Sequence, residues 1–173
     1  MKGLNFTTVY IIDPHTKERI PADEWLAEHA DDPIVAQWVA IENRAYGFTL
    51  ALHKEELASD LNHPDSVAKV EAFPLAGSRL GNRFEWITIY NAIHTAGLND
   101  ILASIGGDVI ERNWYWTDDL DEDRRFREVD KNGQSYATNA WIYHGTYGSL
   151  TAHSNRVYSH ASRVVRALDP SRP

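Results

Sequence analysis

The sequence predicts an α+β fold with two central helices and a mixed, mainly antiparallel sheet. Three observations lead there: strand-like runs come first, the strongest helix signals sit in the middle of the chain, and after residue 106 only strands and loops follow. No segment repeats and no low-complexity linker divides the chain. Its 173 residues, 43% of them hydrophobic, are therefore expected to form one domain around one core. Residues 7–53 read as N-terminal strands and a hairpin, 64–105 as the helical part, and 111–168 as C-terminal strands and binding loops.

In order, "TTVYIID" (Thr7 to Asp13) alternates as a strand does, and "PHTK" follows as a turn. "IPADEWLAEHADD" starts a short helix at Asp23, with Trp25 covering the core edge. The apolar arms Ile34 to Ile41 and Tyr46 to His53 read as a hairpin around a turn at Glu42 to Ala45. A short helix runs from Pro64 to Ala72, with proline at an early position and Asp65 in the first turn.

The best helix is "NRFEWITIYNAIHTAG". Asn82 is its N-cap, Glu85 stands where a capping-box acid belongs, and Gly97 ends it. Phe84, Ile87, Tyr90 or Asn91, and His94 mark one line along it; Trp86, Ile89, Tyr90 and Ile93 mark another. A helix that apolar is expected to be mostly buried. "LNDILASIGG" repeats the pattern in brief, with Asn99 as cap, Ile101, Leu102 and Ile105 on one side, and Gly106 as stop. The Gly106-Gly107 pair follows a helix and so reads as a C-cap, not a phosphate cradle. The remaining strands are "RNWYWTDD", "SYATNAWIYH", "GSLTAHSN" and "ASRVVRAL".

Composition narrows the function. A net charge of −8 weighs against nucleic acid and anionic membrane as partners. Absent cysteines remove disulfides, zinc-thiolate sites and thiol catalysis. No run of about eighteen apolar residues predicts membrane insertion, and "MKGLNFTTVYIIDPH" lacks the layout of a signal peptide. The compartment stays open. From Lys131 through Leu168 there is no Asp or Glu, while Lys131, Arg156, Arg163 and Arg166 fall within that stretch.

In "NWYWT", Trp114 and Trp116 point to one face of a strand and Tyr115 to the other, with Trp116 expected in the core. The acids Asp118, Asp119, Asp121, Glu122 and Asp123 lack the rhythm and distal Glu of an EF-hand loop. "RRFR" follows at once, so a solvated loop with local ion pairs is expected in place of a calcium site. His29, His53, His63, His94, His144, His153 and His160 are spread out, with no metal-binding helix motif and no nucleophile elbow. No catalytic residue, metal ligand or cofactor is assigned.

The order "GSRLGNRFEWITIYNAI", "LNDILASIGGDV", "WYWTDDL", "AWIYHGTYGSL", "SRVVRAL" resembles bacterial and phage domains with the C-type lectin fold. The hairpin "VAQWVAIENRAYGFTLAL" resembles the entry hairpin of the gut-bacterial members. The likeness covers about residues 34 to 168. The sequence departs from the pattern at "LGNRFEW" and Thr117-Asp118, and it lacks the calcium triplets of animal lectins, so calcium-dependent sugar binding does not carry over. The formylglycine-generating branch of that fold needs cysteines this chain lacks. The resemblance then implies a ligand-binding domain of a cell or virion surface, of the kind that includes the variable proteins of diversity-generating retroelements.

The C-terminal composition, rich in Tyr, Trp, Ser, Thr and Asn, is that of a paratope, where rigid rings supply contact area and small polar groups adapt. The expected ligand-binding residues are Trp114, Asp118, Tyr136, Asn139, Trp141, Tyr143, His144, Tyr147, His153, Asn155, Tyr158 and His160. Two functions follow. One is recognition of a protein or glycan ligand through this tyrosine-rich face without a cofactor. The other is a structural module of a virion or cell-surface assembly, in which the same face makes a subunit contact and the chain forms homo-oligomers.

Overall fold

The computed structural model describes residues 7–13, 16, 18–28, 38–42, 47–51, 61–72, 77–145 and 147–167. Within them the α+β class holds: four α-helices accompany sheets whose named strands all pair antiparallel. None of these helices is long and apolar enough to cross a membrane.

Strand β1 (Thr8–Ile12) turns Val9 and Ile11 into the core, as its alternation requires. Asp13 ends it: its carboxylate accepts the Thr16 N–H at 2.8 Å, and its own N–H donates to the Glu18 carbonyl at 2.9 Å. Pro14, His15 and Lys17 of the expected turn lie outside the described residues. The chain returns as β2 (Arg19–Pro21), too short to be legible in the sequence, and Pro21 sits on a sheet edge where its missing N–H breaks no ladder. Helix α1 (Ala22–Glu28) buries Trp25.

The hairpin is present as β3 (Trp38–Glu42) and β4 (Gly47–Ala51), with Val39 opposite Leu50 and Ile41 opposite Phe48. Residues 34–37, 52 and 53 of its expected arms, and 43–46 around the turn, lie outside the described residues. The last strand, β11 (Val164–Ala167), inserts between β4 and β5 (Arg79–Leu80), giving the order β2-β1-β3-β4-β11-β5. The end of the described chain is thus held inside the six-stranded sheet, one strand from its edge.

Helix α2 (His63–Glu71) is capped by Asn62, whose side chain accepts the Asp65 N–H. Helix α3 (Arg83–Ala96) has the full capping box: Asn82 accepts from the Glu85 N–H at 3.0 Å, and Glu85 accepts the Asn82 N–H at 2.7 Å. Gly97 ends it at φ 66°, a left-handed conformation that glycine adopts without Cβ strain. Of its two apolar lines, only Trp86, Ile89 and the following Ala92 are fully buried. Phe84 and Ile87 are 73% and 41% exposed, which corrects the expectation of a mostly buried helix.

Helix α4 (Leu98–Ser104) follows directly, and here too a sequence reading is corrected. Gly97 holds the N-cap position, whereas Asn99 lies inside the helix and bridges the loop beyond it. Its carboxamide accepts the Ile110 N–H at 2.9 Å and donates to the Ile110 carbonyl at 3.1 Å.

The second sheet runs β10 (Leu150–Asn155), β9 (Asn139–His144), β6 (Trp114–Leu120), and β7 (Arg127–Val129) with β8 (Ser135–Ala137) forms a separate hairpin. "SYATNAWIYH", expected as one strand, breaks at Thr138. That residue's N–H and hydroxyl both donate to the Phe126 carbonyl, and its own carbonyl accepts the Arg156 N–H. The core is double rather than single, because β6 is covered on both faces. Tyr115 joins the larger cluster with Trp86 and Tyr143, while Trp116 joins Val70, Leu80, Ala140 and Ile142, with Trp114 partly buried beside it. The expected facing of Trp114, Tyr115 and Trp116 is therefore right, and Trp116 is fully buried as expected.

Candidate functional site

The N-terminus of α2, the β7–β8 hairpin and the turn after β10 enclose a groove of about 360 Å³. Asn62, Asp65, Glu128, Tyr136, Asn155 and Arg156 line it, and Val157 closes its apolar side. Each side chain is held by its own element. Asn62 and Asp65 are the cap and first turn of α2, with the Asn62 amide donating to Asp65 Oδ2 at 2.7 Å. Glu128 and Tyr136 are cross-strand partners, and the Tyr136 hydroxyl donates to Glu128 Oε2 at 2.8 Å. That carboxylate raises the Tyr136 pKa above its ordinary value, by its hydrogen bond first and its charge second. Asn155 accepts the Val157 N–H at 3.1 Å, which tightens the turn after β10.

Arg156 organises the floor. Its N–H donates to the Thr138 carbonyl, its carbonyl accepts the His63 N–H, and its Nη1 donates to the Ala137 carbonyl at 3.0 Å. Its Nε donates to His63 Nδ1 at 3.3 Å, so His63 must carry its proton on Nε2, which donates to the Thr117 carbonyl at 3.1 Å. The imidazole is thus neutral with both nitrogens satisfied. Burial pulls its pKa down to about 4, assisted by the Arg156 charge and opposed by the Thr117 hydrogen bond.

No protein-family model and no curated protein matches this chain. Its own geometry must sort the expected binding residues, which fall into several settings. Tyr136 and Asn155 line the groove, and Tyr158, 62% exposed, follows in the same turn with its N–H on the Asn155 carbonyl. Tyr147, 56% exposed, stacks on His144 at 4.6 Å, lies under the Arg112 guanidinium at 4.9 Å, and has Trp114 edge-on to the same histidine. Trp141 is half-buried beneath the guanidinium of Arg83 at 4.6 Å. Asp118 is exposed on β6, its N–H donating to the Gly81 carbonyl.

For five of the expected residues the reading is corrected or the side chain lies outside the described residues. Tyr143 has no exposed surface; its ring stacks on Trp86 at 5.2 Å inside the larger core cluster, so it cannot touch a ligand. Asn139 and His144 are buried as well, at the two ends of β9, the central strand of its sheet. The side chain of His153 lies outside the described residues. His160 is half-buried against Trp116 at 4.6 Å, with Nε2 2.9 Å from Ser154 Oγ, a packing role.

Sequence reasoning missed Asn62, Asp65, Glu128 and Arg156 as site residues. Asn62 and Asp65 carried only a helix-cap signal, and Arg156 showed only as a cation in an acid-free stretch. The expected solvated loop with local ion pairs holds for part of the acidic run, where Asp123 pairs with Arg125 at 2.6 Å and Glu122 with Arg127 at 2.9 Å. It is corrected for the rest, since Asp118 and Asp119 lie on β6, Asp119 accepts the N–H of the distant Arg83 at 2.7 Å, and Asp121 is buried.

Proposed function

We propose that this chain is a non-enzymatic recognition domain that receives a protein or glycan ligand in the groove between α2, the β7–β8 hairpin and the turn after β10. The observation that carries this reading is the convergence there of an aromatic wall, two amides and charges of both signs around an open concavity. Two consecutive central helices and mainly antiparallel sheets support a C-type lectin-like fold of the bacterial or phage type. If the locus is a retroelement target, the exposed Tyr136, Tyr147 and Tyr158 and the half-buried Asn155 are the positions to vary, and the buried Tyr143 stays fixed. Codon-by-codon sequencing across the source population reads this directly.

The decisive experiment immobilises the chain, screens it against glycan and surface-protein libraries, and repeats the capture with a Tyr136→Ala/Tyr158→Ala double variant. Both side chains are largely exposed, so the melting temperature should move by no more than about 4 °C while capture is lost. Retained capture would place the ligand elsewhere. A second reading, a subunit contact in a virion or cell-surface assembly, is favoured by the exposed apolar side chains Val129, Val157 and Tyr158. Light scattering separates the two, since a stable oligomer that shields Tyr158 supports assembly.

A further inference from the structure

The groove presents two poles. Arg156 directs Nη1 and Nε to Ala137 and His63, which leaves Nη2 without a partner and the guanidinium without a carboxylate in ion-pair range among the described residues. Asn155 uses Oδ1 on the Val157 N–H, so its Nδ2 is open to donate. The N-terminal end of α2, with Asn62 as its cap, faces the same space and adds positive potential that Asp65 offsets in part. At the other pole, Glu128 gives one oxygen to the Tyr136 hydroxyl and Asp65 gives one to the Asn62 amide, leaving the second oxygen of each open among the described residues. The Tyr136 ring and Val157 supply apolar wall, and about 360 Å³ stands at the low end of small-molecule pockets, roughly 300–1,000 Å³.

A purely anionic ligand would face two carboxylates there, and a purely cationic one would face a fixed guanidinium. We propose that the groove takes a small zwitterion of the α-amino-acid type, its carboxylate on Arg156 and Asn155 and its ammonium on Glu128 and Asp65. The inference rests on the groove being the ligand site, not on the ligand there being a macromolecule. Both contacts are charge-assisted hydrogen bonds, which are stronger and more directional than neutral ones.

The test is titration calorimetry of the full chain with leucine, N-acetylleucine and leucinamide. Leucine should bind, and masking either end should weaken binding by about tenfold or more. Two variants keep the fold while changing one pole each. Glu128→Gln retains an oxygen for the Tyr136 hydroxyl and should narrow the gap between leucine and N-acetylleucine. Asn155→Asp retains an oxygen for the Val157 N–H, places a negative charge at the carboxylate pole, and should weaken leucine by about tenfold. Equal binding of the masked derivatives, or no heat with leucine while the Tyr136→Ala/Tyr158→Ala pair still abolishes capture of a macromolecule, would overturn the zwitterion and leave the groove as ligand site. Leucine binding that Asn155→Asp weakens, alongside capture untouched by the tyrosine pair, would uphold the zwitterion and remove the macromolecular reading.

Discussion

Tyr143 shows why residue type alone misassigns a site. Tyrosine is abundant both in binding faces and in strands that pack a core, because one ring supplies large apolar area in either place. What separates the two is burial, and Tyr143 is enclosed by Trp86 and Tyr90 with its hydroxyl unmatched among the described residues. Desolvation accordingly drives its pKa far above the ordinary value. Removing that hydroxyl while keeping the ring should therefore cost little. Tyr143→Phe is expected to match or exceed the parent in stability, whereas Tyr143→Ala should lose about 3–5 kcal/mol through the cavity it opens. Urea unfolding of both variants checks this, and a Phe variant that loses as much as the Ala variant would mean the hydroxyl has a partner in the native state. At Gly145 the constraint is spatial, since an added Cβ would stand 2.5 Å from the Glu111 carbonyl oxygen and 2.9 Å from the Tyr115 ring. Gly145→Ala should destabilise by more than about 2 kcal/mol because backbone, not a flexible side-chain end, must move.

The best-defined element is the start of α3, where one buried side chain has two tasks. Glu85 closes the capping box and also receives the Arg79 guanidinium in a bidentate pair, at 2.7 Å on Oε2 and 2.6 Å on Oε1. The carboxylate has no exposed surface, whereas Arg79 is 30% exposed, so the two partners are not equivalent. Arg79→Met leaves a buried charge without its guanidinium and should cost about 3–5 kcal/mol; Glu85→Gln keeps a capping oxygen and leaves a cation that water can reach, and should cost less. Equal losses would show that the cap, not the pair, dominates. The cap was legible in the sequence because its spacing is local: Asn82 and Glu85 are three residues apart and need nothing from the rest of the chain. The pair with Arg79 carried no such signal. The same contrast runs through the other elements. Strands with a period of two and helices with caps were readable, but β2, β5 and β7 are two or three residues long and exist only because longer neighbours pair with them. Asn99 was misread as a cap because its partner, Ile110, is supplied by a loop whose course no local pattern specifies.

For the molecule as a whole, the acid-free stretch from Lys131 to Leu168 has a structural cause. It contributes the central strand of the second sheet and a strand inside the first, with Ala140, Ile142, Tyr143, Arg163 and Val165 all buried, so acids are kept out by desolvation over much of its length. Arg163 illustrates the cost: burial draws its pKa down to about 10, and its Nη2 donates to the Asp108 carbonyl. Where this stretch meets α2, one histidine ties three elements together. His63 on α2 donates to β6 through Thr117 and accepts from Arg156 in the turn after β10, so it holds the groove floor to the scaffold. Its proton linkage gives the molecule a predictable acid sensitivity. The unfolded chain binds a proton at His63 near pH 6.5, the folded chain only near pH 4, so between those values the unfolded state holds more protons. The stability contributed by neutral His63 is fully present above about pH 6.5 and falls as pH drops towards 4, by about 3 kcal/mol across the window. Exposed carboxylates titrate in the same range, so the comparison must be with His63→Gln, which lacks this proton site. The parent should lose clearly more stability than the variant between pH 7 and pH 4.5 in urea unfolding, and parallel profiles would mean that His63 does not hold its neutral form in the fold. Protonation at Nδ1 would also replace an acceptor of the Arg156 Nε–H with a second cation, freeing the guanidinium from its fixed aim. Ligand affinity at the groove should therefore hold through most of that window and weaken only as pH approaches about 4, where the folded chain takes up this proton.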